Sequence, residues 1–246
     1  MSVFKSWRSY EKFAETMKLR NRYIRDTDNE QFLSTVLDTS KSRQGTLKKD
    51  SYLWRAQIGY RMDSDGQPCA FPRERMKPQP NMASEGRANP KGIPYLYLAT
   101  GRETAMAEVR PWVGSWISVG QFRIVRDIAM IDCTLHQNES SSYYFREPTP
   151  KKRELAVWYD INSAFSTPKN PSDSTAEYVP TQIIAELFKN NGFDGIVYKS
   201  ALGKGLNIMV FDLNSAELVN CFLFESKEVS FKFEEIANPY FVRKKS

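Results

Sequence analysis

The chain has one histidine, three cysteines and no long apolar run, and each shortage removes a class of function. His136 stands in a polar stretch, a poor foundation for a Ser-His-Asp triad or a Cys-His pair. Cys69, Cys133 and Cys221 are far apart and odd in number, with no C-x-x-C pair. Neither a disulfide framework nor a zinc ribbon is expected, and a reducing cytoplasm is the natural compartment. There is no H-E-x-x-H and no acidic calcium loop, so no metal is expected. The G-x-x-x-x-G-K-[ST] phosphate loop is missing; Gly203-Lys204-Gly205 resembles a fragment of one, yet it lies between two predicted strands, where a hairpin turn is expected. No stretch approaches the roughly 20 apolar residues of a membrane span, and the opening M-S-V-F-K-S-W-R lacks the apolar core of a secretory signal.

What remains is globular in character: 246 residues, 41% hydrophobic and 13% aromatic, enough to bury a substantial core. The formal charge of +6 suits an anionic partner, whether nucleic acid, acidic protein or phosphate-bearing small molecule. Much of that excess sits in the first 50 residues and in the tail Arg243-Lys244-Lys245, where a solvated surface explains it as well.

Residues 87–110, R-A-N-P-K-G-I-P-Y-L-Y-L-A-T-G-R-E-T-A-M-A-E-V-R, organise the rest. Asn89-Pro90 and Gly92 break any helix, and Pro94 holds its predecessor extended before a β-favouring run over 95–99. Thr100 and Glu103 have the spacing of a capping box, which starts a helix at about Gly101. On that helix Ala105, Met106 and Val109 form the inward stripe, with Glu103, Ala107 and Arg110 opposite. Glu108 flanks the stripe, at the core margin, where a carboxylate costs free energy unless something satisfies it.

Around this unit, Trp7, Tyr10, Phe13 and Met17 give an amphipathic helix over 4–20, and Phe32, Leu33, Val36 and Leu37 a second, joined by a charged connector at 25–30. Residues 1–49 are thus expected as a helical extension that docks on a main domain at 50–246, with 45–50 as linker. A strand is predicted over 52–60, a long loop over 61–86, two strands within 115–134, and loop over 136–150. Helix follows over 151–165, loop over 166–177, and a helix over 181–191 with Ile183, Ile184, Leu187 and Phe188 inward and Gly192 as its stop. Strands at 194–199 and 207–212, then two or three short ones, complete an α+β chain with antiparallel or mixed sheets.

Arg55, Arg87, Tyr97, Glu108 and Ser200 each stand at an end or edge of a predicted element, where functional residues concentrate. Singly, each has an ordinary explanation: surface ion pairs for the arginines, a half-buried strand residue for Tyr97, a solvated boundary glutamate, a turn hydroxyl for Ser200. Together and in order they resemble the RES-domain family, named for its Arg, Glu and Ser. The resemblance rests on L-W-R-A-Q, an Arg before N-P-x-G-I-P, L-Y-L-A, T-A-x-A-E, Y-x-P-T-Q-I-I-A-E and G-F-D-G-I-V-Y-x-S with a following Asn, over roughly residues 50–225.

That resemblance implies an ADP-ribosyltransferase-like core of two small sheets around an NAD-binding cleft. It implies a bacterial toxin that cleaves NAD at the nicotinamide–ribose bond by phosphorolysis or hydrolysis, neutralised by a helical antitoxin. On it, Arg55 and Arg87 are the phosphate-binding arginines, Tyr97 covers the nicotinamide or ribose, Glu108 stabilises the sugar cation, Ser200 orients ribose or nicotinamide, and Asn207 supports from behind. Two rivals stand: transfer of ADP-ribose to a macromolecule, and a basic nucleic-acid-binding protein using Lys151-Lys152-Arg153 and the tail.

Overall fold

The computed structural model describes residues 3–79, 82–136, 144–168, 175–230 and 232–234. The basic tail and the centres of the two predicted loops at 136–150 and 166–177 lie outside these residues. In chain order the elements are α1 (Ser9–Leu19), α2 (Thr27–Ser40), β1 (Gln44–Leu47), β2 (Tyr52–Ile58), β3 (Arg61–Met62), β4 (Pro68–Cys69), α3 (Arg73–Met76), β5 (Leu96–Ala99), α4 (Arg102–Glu108), β6 (Trp116–Ile124), β7 (Ile128–Asp132), α5 (Pro150–Ser166), α6 (Val179–Asn190), β8 (Gly195–Lys199), β9 (Leu206–Val210) and β10 (Ala216–Glu225).

In place of two separate small sheets, eight strands join in one mixed sheet of order β1-β7-β8-β9-β5-β2-β6-β10, beside the small β3–β4 ladder. The pair β7–β8 is parallel and the others are antiparallel. Continuity is thin at one point. β2 matches β6 over seven residues, whereas β2 meets β5 through the single pair Trp54–Ala99. A five-stranded arm and a three-stranded arm are therefore hinged at one residue pair, and the sheet doubles over there. Leu53, Phe122 and Ile124 of the smaller arm share one apolar cluster with Leu96, Leu98, Met130, Ile208 and Val210 of the larger.

Strand alternation divides the residues between the two faces of the larger arm. In β9, Ile208 and Val210 enter the cluster between the arms; Met209 and the following Phe211 face the other way, into a cluster built with α5 and α6. Gly195 in β8 is dictated by close approach, since a Cβ there would lie 2.2 Å from the Met209 carbonyl oxygen. In α6, Ile184 and Phe188 are buried as the spacing predicts, Ile183 and Leu187 pack at the margin, and Gly192 leaves the helix at φ +84°.

Several local expectations are corrected. The connector at 25–30 already contains the start of α2, because Asp26 caps it by accepting from the Asn29 amide at 2.9 Å. The expected linker at 45–50 begins as β1, whose main chain pairs with β7 and extends the sheet. The segment 61–86 is packed rather than a free loop: Phe71 and Met76 enter the cluster between the arms. A single ten-residue strand, β10, stands in place of the two or three short ones, kinked by a register shift between Leu218 and Asn220.

The N-terminal helices share the cluster of α5 and α6, to which Phe13, Met17, Phe32 and Val36 contribute beside Trp158 and Phe188. Trp158 donates its indole N–H to Thr39 at 3.0 Å, and the Arg43 guanidinium stacks on the Trp158 ring at 4.4 Å. No helix among the described residues is long and apolar enough to cross a membrane.

Between α1 and α5 runs a polar groove that holds Tyr10, Glu11, Lys18, Asp160 and Glu177. Burial, and then the nearby Glu11 carboxylate, push the Asp160 carboxyl up from its ordinary 3.8 to about 6. The folded chain thus keeps a proton that the unfolded chain has released. Its stabilising contribution is complete below pH 4 and is lost as pH rises through 6. Asp160→Asn should therefore raise the thermal midpoint over wild type at pH 8 and match it at pH 4, measured as paired melting curves; a constant offset at both pH values would contradict this.

Candidate active-site cleft

Where β2 and β5 part after their one shared pair, a cleft of about 310 Å³ opens. β2 supplies Trp54, Arg55 and Ala56 to it, β5 supplies Tyr97 and its neighbours, and α4 closes one side with Ala105 and Glu108. Arg87, Tyr178, Tyr198 and Asn207 complete the walls. Arg55, Arg87, Tyr97, Glu108 and Asn207, predicted from sequence, all line this space, and Ser200 reaches it through Glu108.

Arg55 spans the open seam. Its Nη1 donates to the Tyr97 carbonyl at 3.1 Å, standing in for a ladder partner that β5 lacks there. Its Nε is buried with no partner. Burial pulls the guanidinium down to about 10, with the nearby Tyr97 opposing, so the group remains cationic at neutral pH. Neither Arg55 nor Arg87 forms a salt bridge among the described residues; both bond to backbone carbonyls.

Arg87 is held from two sides. Nη1 donates to the carbonyls of Phe165 at 2.6 Å and Ser166 at 2.8 Å, at the C-terminus of α5, where the helix dipole favours a cation. The turn that carries Arg87 is tied to the first turn of α6. Thr181 donates to the Arg87 carbonyl, and Gln182 Nε2 donates to the carbonyls of Gly86 at 3.0 Å and Asn89 at 3.1 Å. The P-T-Q of the sequence therefore works as a backbone anchor.

Tyr97 has its hydroxyl committed: it donates to Asn89 Oδ1 at 2.7 Å and accepts from the Ala88 amide at 3.1 Å. Burial raises this phenol and that of Tyr198, keeping both neutral. The Tyr97 hydroxyl is thereby committed to a turn contact, which leaves the ring as its contribution to the cleft wall.

Glu108 ends α4 at the core margin, half-buried, as the wheel places it. Ser200 Oγ and Asn207 Nδ2 both donate to the same oxygen, Oε1, each at 2.7 Å. Ser200 is itself fixed by the amides of Leu202 and Gly203, which donate to its Oγ. Its hydroxyl proton thus serves the carboxylate. Among the described residues Oε2 accepts no hydrogen bond and is the available oxygen.

The capping box does not form. Gly101 is the N-cap of α4 without a side-chain cap bond, and Thr100 Oγ1 instead accepts from the Leu206 amide at 3.0 Å. Sequence reasoning also passed over Trp54, Tyr178 and Tyr198 as cleft residues. Trp54 stands one position from Arg55 and Tyr198 two from Ser200, and that adjacency was the available signal; Tyr178 opens the Y-x-P-T-Q block with no candidate residue beside it. His136 sits in a turn at φ +63°, and no cluster of three or more His, Cys, Asp or Glu able to hold a metal occurs among the described residues.

The arrangement is that of a site for an anionic ligand with one electron-rich point. Two arginines without carboxylate partners share the space with a carboxylate that two neutral donors orient, with aromatic rings as walls. A model of the RES domain family matches residues 53–233, well over half the chain. The chain belongs to that family. No curated protein matches it. It is similar to a chain in the crystal structure of the M. tuberculosis MbcT–MbcA toxin–antitoxin complex, at 15% identity over 77% of this chain and 92% of that one, with a TM-score of 0.41.

Replacing Arg55 removes a buried unpartnered donor, which costs about 1–3 kcal/mol, and also one carbonyl bond. Arg55→Met is thus expected to stabilise the free protein by ~1 kcal/mol, roughly 2–4 °C at this size. A variant less stable than wild type in paired melting curves would overturn this reading of Arg55.

Proposed function

We propose that this protein is a toxin that consumes NAD by breaking its nicotinamide–ribose bond, and that a helical antitoxin restrains it. The observation that carries the reading is the cleft's charge layout: two arginines without carboxylate partners beside a single glutamate with one oxygen available. A pyrophosphate suits the arginines through planar donation. An ADP-ribosyltransferase-like core, with the ligand between the two arms of the sheet, accommodates the same layout.

The chemistry needs little else. The bond from ribose C1′ to the pyridinium nitrogen breaks, the electron pair goes to that nitrogen, and nicotinamide leaves neutral, so no general acid is called for. Positive charge develops on the sugar, as in glycoside cleavage. Glu108 Oε2 stabilises that charge and accepts from the ribose hydroxyls. Water or phosphate then adds at C1′, and a proton passes to solvent. Tyr97 and Tyr178 present ring faces to the nicotinamide or ribose, and Ser200 and Asn207 hold the carboxylate. No metal is assigned a role, and nucleic acid enters only through an antitoxin.

Glu108→Gln is expected to lower NAD turnover by about 10²–10³-fold while an NAD-induced thermal shift persists. Turnover within a few-fold of wild type would overturn the assignment. Incubation of wild type with NAD, with and without phosphate and cell lysate, identifies the acceptor; a labelled macromolecule would favour ADP-ribosyl transfer. Binding to nucleic acid that falls steeply with salt and survives Glu108→Gln would favour the third reading.

A further inference from the structure

Thr104 lies one helical turn before Glu108, so the two side chains share a face of α4. It is buried, and its Oγ1 accepts from the Gly205 amide at 3.1 Å. Gly205 ends the loop between β8 and β9; Ser200 opens that loop, and Asn207 follows it as the second residue of β9. That loop has no room for side chains against the helix. A Cβ on Gly205 would lie 2.6 Å from Thr104 Oγ1 and 2.7 Å from Thr100 Oγ1, and one on Gly203 would lie 3.0 Å from Thr104 atoms. The glycines expected to make a hairpin turn are therefore required by close packing against α4.

One loop thus grips one helix twice. Its C-terminal end is fastened at the start of the helix, Gly205 to Thr104 in the first turn and the next residue, Leu206, to Thr100 just before the N-cap, and Ser200 and Asn207 on either side converge on Oε1 of Glu108 in the last turn. We propose that Thr104 is a positioning residue: by fastening the loop, it fixes Ser200 and Asn207 on one carboxylate oxygen and keeps the other aimed into the cleft. This rests on the NAD-cleaving reading of Glu108. Because the arginines are held independently, by the Tyr97 carbonyl and the end of α5, loss of the clasp is expected to weaken transition-state stabilisation while leaving ground-state binding intact.

The test uses the purified full chain as wild type, Thr104→Val, Thr104→Ser and Gly205→Ala. NAD turnover is measured alongside hydrogen exchange of peptides spanning 200–207. Thr104→Val and Gly205→Ala should each lower kcat by about ten- to a hundredfold with KM within about threefold, and should speed exchange in those peptides. Thr104→Ser keeps the acceptor and should return both readouts to within about threefold of wild type. A purely structural Thr104 predicts that serine and valine lose activity in step with the folded fraction. That outcome, or wild-type kcat or unchanged exchange in Thr104→Val, overturns the proposal. A wild-type chain that leaves NAD intact overturns the NAD reading, and the exchange result then decides the clasp by itself.

Discussion

The structure turns on the single residue pair, Trp54 with Ala99, that joins the two arms of the sheet. A fuller ladder between β2 and β5 would seal the space the cleft occupies; no pairing at all would cost the arms their common core. With one pair, the arms fold over a shared apolar cluster and still part beyond it, leaving β-strand backbone that needs other partners. Arg55 supplies one by bonding the Tyr97 carbonyl. The residue that props the seam open is also the cleft's least satisfied cation.

That double duty explains the electrostatic character of the site. A buried guanidinium with an unpartnered Nε is costly, and a protein kept solely for stability would pair it or replace it. Here the nearby carboxylate is instead gripped by two neutral donors, so both charges remain available. The site is preorganised through residues that face away from any ligand: Asn89 on the Tyr97 hydroxyl, the α5 carbonyls on Arg87, Thr181 and Gln182 on the turn between them. Spread across one turn and two helices, these supports make the cleft a product of distant parts of the chain.

Much of this was legible beforehand. The strands on either side of Arg126-Asp127, the helices α5 and α6 and the half-buried position of Glu108 follow from periodicity, and the set Arg55, Arg87, Tyr97, Glu108, Ser200 and Asn207 follows from motif order. Errors fell where a local signal competed with a distant partner. Thr100 and Glu103 have the spacing of a capping box, but Thr100 is taken by Leu206, more than a hundred positions away. Residues 45–50 read as linker because four residues of exposed strand carry little pattern, and only β7 gives β1 a reason to extend. The segment 61–86 lacks periodicity because two anchors, Phe71 and Met76, attach it to the core.

By itself, the sequence determined the residue types, the amphipathic faces and the breaks between elements, since these depend on neighbours a few positions apart. It also determined the family, through motifs whose order survives without coordinates. Tertiary structure alone decided how the side chains are spent. Ser200 and Asn207 meet Glu108 across 92 and 99 positions, and Arg55 meets Tyr97 across 42. The Arg55 bond depends on how the two arms part and the Glu108 bonds on how α4 sits against the β8–β9 connection, which no local pattern encodes; these placements left one glutamate oxygen open and brought both arginines to the same cleft.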